Sequence, residues 1–255
     1  MLKIVIANNK GGVAKTTSVF NIISYFASNG FKVLAIDMDS QGNLTECYDV
    51  GDVEYTAFDA MKERDVRKYI IENVADNLDL LPADCMLEAA NLDFSSVIGR
   101  EHLLAKALRH VENDYDICVI DTAPSLSLLT LNSLAAANRV YIPLGSGFFE
   151  LKGASILMDA IKQIKDGLNE ELEIGGMFIT RHDSRTKISN DVINKVKDVY
   201  GSNIMDTIIR NNIALVESAA AGQSIFEYKN SSIGAEDYKN LCLEIIKKEG
   251  IKTNG

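Results

Sequence analysis

No run in this 255-residue chain stays apolar for the roughly 18 to 20 residues that a bilayer crossing takes. The opening MLKIVIANNKGG has neither the apolar stretch nor the cleavage site of a secretory leader. Proline is scarce, and none of the three marks a linker. Cys47, Cys85, Cys118 and Cys242 lie too far apart for a CxxC redox pair or a zinc ribbon. A reducing, cytoplasmic setting is therefore expected. Basic residues are outnumbered 26 to 36, a net charge of −10. That argues against a surface built wholly for nucleic acid and leaves room for a local basic face.

What the chain does have is ordinary globular material, 47% hydrophobic and 24% charged, which excludes disorder and low complexity. Its elements alternate. LKIVIA at 2–7 is a short β-branched run that ends in a polar, Gly-rich segment. From Thr16 to Ala27 the apolar residues Val19, Ile22, Ile23, Phe26 and Ala27 recur at helical spacing, and Gly30 stops the helix. KVLAID at 32–37 follows as a second strand, completing a parallel βαβ unit. Further strands are predicted at 79–84, 116–121, 139–144, 174–180 and 204–209. Helices are predicted at 100–113, 126–138, 153–168, 186–200 and 235–249. Strands such as ICVI are apolar on both faces, as a sheet covered by helices on both sides requires. The pattern predicts one α/β domain over residues 1–255, a doubly wound and mainly parallel sheet, with 45–75 the least periodic stretch and 250–255 a frayed tail.

The segment from Asn8 to Thr17, NNKGGVAKTT, lies where the first strand ends and the first helix begins. Backbone N–H groups of such a loop and the positive end of the helix converge on an anion. Gly11 and Gly12 permit close backbone approach, Lys15 is placed to neutralise β- and γ-phosphate oxygens, and Thr16 to put its hydroxyl on Mg²⁺. The usual G-x-x-x-x-G-K-[ST] pattern fails here, because Asn9 and Ala14 stand at its glycine positions. Asp37 and Asp39 close the second strand and Asp121 closes an apolar strand, so three carboxylates are candidates for the same end of the sheet.

Lys10 at the head of the loop resembles the signature lysine of the deviant Walker A, or ParA/MinD, ATPases. The resemblance continues through Asp37 to Asn43, Tyr115 to Leu126, Leu129 to Leu134, Phe149 to Gly153, His182 to Thr186, Ile209 to Asn211, and Gly234 to Tyr238. The chain is similar throughout to short ParA, or Soj-like, DNA-segregation ATPases that lack an N-terminal helix-turn-helix domain. That resemblance implies ATP/ADP and Mg²⁺ as cofactors, bound by Lys10, Gly11, Gly12, Val13, Ala14, Lys15, Thr16 and Thr17. It implies an adenine site at Thr180, Ile209, Arg210 and Asn211. It implies Lys10, Lys15 and Asp39 as catalytic residues, Lys10 reaching across an ATP-dependent homodimer and Asp39 orienting water. Thr16, Asp37, Asp39 and Asp121 would serve the metal, Asp37 from behind the others.

The implied partners are a ParB-like centromere-binding protein that stimulates a slow hydrolysis and non-specific DNA, with nucleoid association if DNA is bound. Segment 181–197 carries Arg181, Arg185, Lys187, Lys195 and Lys197 against Asp183 and Asp191, a candidate DNA face; a plain solvated helix face is the alternative. Arg210 is open to either adenine or DNA. Ala14, Ser40, Ala123 and Ile209 depart from the family's glycine and prolines, and 145–148 lacks its usual polar residue. Two other readings stay open: a MinD-like membrane cycle through the C-terminal LCLEIIKK, diluted by Glu244 and Glu249, and a relative that positions a protein cargo. No stable membrane association is expected. Iron–sulfur carriers of the same superfamily need paired cysteines that this chain does not have.

Overall fold

The computed structural model describes residues 1–147 and 150–252, without the side chains of residues 150–152, 187–190 and 192. The resemblance at Phe149, the end of segment 145–148, the last three residues of the tail and the Lys187 side chain lie outside what is described. The strands are β1 (Leu2–Ile6), β2 (Val33–Met38), β3 (Ile71–Ala75), β4 (Leu78–Leu81), β5 (Ile117–Thr122), β6 (Arg139–Gly145), β7 (Glu173–His182) and β8 (Ile204–Arg210). They form one sheet in the order β3-β4-β2-β5-β1-β6-β7-β8. Every neighbouring pair is parallel except β3 with β4.

Alternation along the strands divides the core. Leu34, Ile36, Cys118, Ile120, Val140 and Ile142 face one side. There they pack with α3 (Ala57–Glu63), α5 (Leu103–Leu108), α6 (Leu128–Ala136), α7 (Glu150–Gly167) and α8 (Lys187–Tyr200). Val33, Ala35, Ile117, Val119 and Tyr141 face the other. There they meet α1 (Lys15–Ser28), α9 (Ile213–Ala220), α10 (Ile225–Lys229) and α11 (Ile233–Glu249). Two one-turn helices, α2 (Asn43–Glu46) and α4 (Ala90–Asp93), complete the α set. Cys118 and Cys242 are fully buried thiols and no disulfide is formed among the four cysteines.

Local chemistry accounts for most boundaries. Gly30 sits at φ +82°, with its N–H on Ala27 O and the Phe31 N–H on Phe26 O. These are the paired bonds of a Schellman stop. The predicted helix at 100–113 is α only over 103–108, with a 3₁₀ turn on either side. The aperiodic stretch 45–75 holds α3, started by a Thr56–Asp59 capping box, and β3, an edge strand with Glu72 and Asn73 exposed.

The crossover from β1 runs toward β2, whereas those leaving β5 and β6 run the opposite way. The C-terminal end of β1 therefore lies at the switch point of the sheet, where such folds open a crevice.

Candidate functional site

The loop after β1 is pinned before it turns. Asn8, buried, donates its side-chain amide to Pro143 O at 2.7 Å and accepts the Lys10 N–H at 3.0 Å. Gly12 takes φ +74° and Ala14 takes φ +62°, so the loop's last residue before α1 adopts a left-handed backbone despite carrying a methyl group. That conformation costs a non-glycine residue about 1 kcal/mol. Helix α1 then starts with no side-chain cap and no acidic residue in its first turn. Its leading N–H groups and positive dipole end are left to an external anion.

Lys15 opens that helix and is nearly buried at 7% exposure. Its ammonium donates to Lys10 O at 2.9 Å. Burial pulls it below its ordinary pKa, and Asp121 and Asp39 nearby oppose that pull. Asp37 and Asp121 are completely buried and sit side by side in register on β2 and β5. Burial raises both carboxyls above the usual carboxylate range; Asp37 adds to the rise at Asp121, while Thr16 and Lys15 favour the charged form of Asp121. Asp121 Oδ1 accepts the Thr122 N–H at 3.0 Å, and its Oδ2 is buried without any hydrogen-bond partner.

That orphaned oxygen beside Thr16 and Lys15 fits a divalent cation held through water and phosphate oxygens, the manner of Mg²⁺. Among the described residues no group of three or more His, Cys, Asp or Glu forms a protein cage for a metal. Asp37 is held by donors of its own chain. Its Oδ1 accepts the Asp39 N–H at 3.1 Å, and its Oδ2 accepts both the N–H and the hydroxyl of Thr45 at 2.9 Å. Thr45 Oγ1 in turn accepts the Ala83 N–H at 2.9 Å. Asp37 therefore braces the loop that carries Asp39. Asp39 itself is 6% exposed and accepts the Gln41 N–H at 3.1 Å.

A cavity of about 330 Å³ opens beside the loop, lined by Gly12, Ala14 and Thr17 of the loop and first helix turn and by Ile209, Asn211 and Tyr238 from the later elements. Of the residues expected around adenine, Ile209, Arg210 and Asn211 line it. Arg210 is held at its rim by Asp237 through Nε and Nη2 and by Glu236 through Nη2, so its charge is already matched. Thr180 does not line the cavity. It is buried, its hydroxyl 3.1 Å from Val13 O and 3.2 Å from Leu144 O, and it ties β7 to the phosphate loop. Arg181, Asn212, Leu215, Val216 and Tyr238 also line the cavity and were not expected there. Of these, Tyr238 carried a signal in the sequence as part of the C-terminal resemblance, and Arg181 only as part of the candidate DNA face.

Lys10 lies against its own chain. A Cβ built on Gly153, in the first turn of α7, would stand 3.0 Å from Lys10 Cε and 3.3 Å from Asn9 Oδ1. The candidate DNA face is divided: Arg185 is paired with Asp183 through Nε and Nη2, and Arg181 turns to the phosphate loop, donating to Gly12 O at 2.9 Å. The apolar residues of the C-terminal helix are used inward, with Leu241, Cys242 and Ile245 fully buried and Leu243 half exposed. No helix among the described residues is long and apolar enough to cross a membrane.

Known proteins agree with this arrangement over the whole length. A family model described as an AAA domain matches residues 1–174. The chromosome-partitioning ATPase Soj of Treponema pallidum is 37% identical over 97% of this chain and 98% of its own length. The sporulation initiation inhibitor protein Soj of Bacillus subtilis is 37% identical over 95% of this chain and 97% of its own. Among solved structures, cobyrinic acid a,c-diamide synthase of Mycobacterium smegmatis with bound ADP and magnesium superposes with a TM-score of 0.84 at 30% identity, covering 99% of this chain and 98% of that one. A putative plasmid partition protein of Borrelia burgdorferi bound to AMPPNP gives a TM-score of 0.82 at 26% identity, covering 98% and 100%. Likeness of this extent, carried by a sheet whose switch point holds the expected loop and acids, makes the chain a member of the ParA/Soj-like family of ATPases.

Proposed function

We propose that this ATPase partitions DNA, a plasmid, mobile element or chromosome, through a nucleotide-driven dimer. The observation that carries the reading is the buried Lys15 at an uncapped helix start, beside an orphaned Asp121 oxygen and an open cavity. ATP places its phosphates on the N–H groups of residues 11–17, Lys15 meets the β- and γ-oxygens, and the base enters the cavity toward Ile209 and Asn211. Thr16 and Asp121 would hold Mg²⁺, which would supply Lewis-acid charge neutralisation there. Asp39 orients the attacking water and Asp37 keeps that carboxylate in place. Lys10 leaves its notch on α7 and crosses to the nucleotide of a second copy, where it stabilises developing charge as an arginine finger does. A carboxylate is a modest base, so turnover is slow until a ParB-like partner organises the site.

The dimer then holds DNA non-specifically and releases it on hydrolysis. Pairing of Arg185 with Asp183 leaves this DNA arm to α8 and its lysines. The same pairing favours, as a second reading, a protein cargo in place of DNA. Turnover and light scattering with a slowly hydrolysed ATP analogue, with and without DNA and a ParB-like protein, test the cycle. A dimer that needs both nucleotide and Lys10, and a rate raised by the partner, are expected. A chain that stays monomeric at saturating analogue overturns the proposal. Retention on DNA across a salt series separates the two cargoes, because phosphate contacts weaken steeply with salt.

A further inference from the structure

Arg181 is the least orthodox residue near the site. Along β7 the Thr180 side chain points to the phosphate loop, its hydroxyl 3.1 Å from Val13 O. Regular alternation would send the next side chain to the opposite face of the sheet. Arg181 instead takes φ +54°, and the pairing register with β8 shifts between Ile179 and His182. An irregularity of this kind re-aims a side chain, and its backbone strain persists only where surrounding bonds hold it. Here the Ser146 hydroxyl donates to Arg181 O at 3.2 Å, from the loop that follows β6. The guanidinium comes back over the phosphate loop and donates through Nη1 to Gly12 O at 2.9 Å. It lines both the 330 Å³ cavity and a smaller one bounded by Gly11–Val13 and Gly145–Gly147. Among the described residues no carboxylate forms an ion pair with it, in contrast to Arg185 and Arg210.

We propose that Arg181 is a phosphate-site cation supplied by β7, holding the loop by the Gly12 carbonyl and adding positive charge for the polyphosphate. The assignment rests on the reading of the loop as an ATP site. A cation on a peptide carbonyl polarises that peptide, so the Val13 N–H on the other side of the same amide becomes a stronger donor. The positive charge also strengthens attraction for a ligand whose charge grows with each phosphate, so ATP gains more than ADP.

The test uses the full chain and two variants, Arg181→Gln and Arg181→Lys, in calorimetric titrations with Mg-ATP and Mg-ADP over a salt series. Arg181→Gln keeps an N–H donor for Gly12 and removes the charge. Its ATP affinity is expected to fall about tenfold, its ADP affinity less, and the dependence of log Kd on log salt to flatten. Arg181→Lys recovers most of the affinity. ATP affinity and salt slope unchanged in Arg181→Gln, or a loss of DNA retention with ATP affinity intact, overturns the assignment. If Arg181→Gln fails to melt cooperatively, Arg181→Lys decides: this variant keeps the charge and the salt slope, so a loss of ATP affinity of about tenfold or more that is matched by the loss for ADP overturns the assignment. Should the natural protein bind ATP and never dimerise, the partition cycle fails and the assignment of Arg181 is still judged by these titrations.

Discussion

The two ends of the proposed nucleotide site are built by opposite means. At the phosphate end, one stretch of chain and the tips of β2 and β5 bury charged groups: Asp37 and Asp121 completely, and Lys15 to 7% exposure. At the base end, the wall comes from β8, α9 and α11, and the arginine there, Arg210, is paired with Asp237 and Glu236 before any ligand arrives. The first end concentrates unbalanced charge where water is excluded, and there electrostatic effects are largest. The second presents shape and apolar surface, and there effects are graded. The contrast teaches where a mutation will abolish turnover and where it will only tune affinity.

Lys15→Met should strike hardest. Removing the buried ammonium is expected to lower ATP turnover by at least about 10²-fold, read by phosphate release at saturating Mg-ATP. A loss no larger than that of a base-end variant would erase the distinction between the two ends. Asp121→Asn follows, with a loss of about 10²-fold in turnover and a raised requirement for Mg²⁺. It also carries a pH signature. Burial raises the Asp121 carboxyl, so between its ordinary and its raised pKa the folded chain keeps a proton that the unfolded chain releases. Stability from this group is therefore full below about pH 4 and declines as pH rises toward neutrality and beyond. Melting of the nucleotide-free protein from about pH 5 to 8 should show a flatter decline in Asp121→Asn than in the natural chain.

The asymmetry between the ends also decides what the sequence discloses. The phosphate loop, the strand-terminal acids and the Gly30 stop are local, and each can be read from a few adjacent residues. So can seven of the eight strands, because a short apolar run bounded by polar turns, in most of them rich in β-branched residues, suits a buried strand better than a helix. The base end is assembled from distant pieces. Helix α9 hides because Ile213 and Val216 face solvent while Ala214, Leu215 and Ser218 are buried, so its apolar spacing misleads. Strand β3 hides because an edge strand exposes Glu72 and Asn73. Thr180 is legible as a site residue and not as a brace, since its partners Val13 and Leu144 are fixed only by the fold. The direction of Arg181 depends on a single left-handed residue that no composition rule foretells.

Smaller effects sharpen the comparison at the base end. Asp237→Asn releases Arg210 from a partly buried, bidentate pair and is expected to cost about 1–3 kcal/mol of stability, with a few-fold weaker ATP binding. Thermal melting and titration together check it; a turnover loss matching Lys15→Met would show that the two ends are not separate. The smallest change is Ala14→Gly. The left-handed backbone at Ala14 suits glycine, so the variant should be more stable by about 1 kcal/mol, a rise of a few degrees in Tm. An unchanged Tm would mean that the natural loop bears no strain there.

Thr45 is tethered on two sides, to Asp37 by two bonds and to the chain leaving β4 by the Ala83 N–H. Asp39, proposed to orient water, hangs from the same anchor through its own N–H on Asp37. The chain leaving β4 and the Asp39 backbone are thus joined through Thr45 and Asp37 by hydrogen bonds of 2.9 to 3.1 Å. A displacement of that strand exit is passed to Thr45 and from it to Asp37 and the Asp39 backbone, so on the proposed role of Asp39 the hydrolytic step answers to events outside the crevice as a latch does, engaged or released.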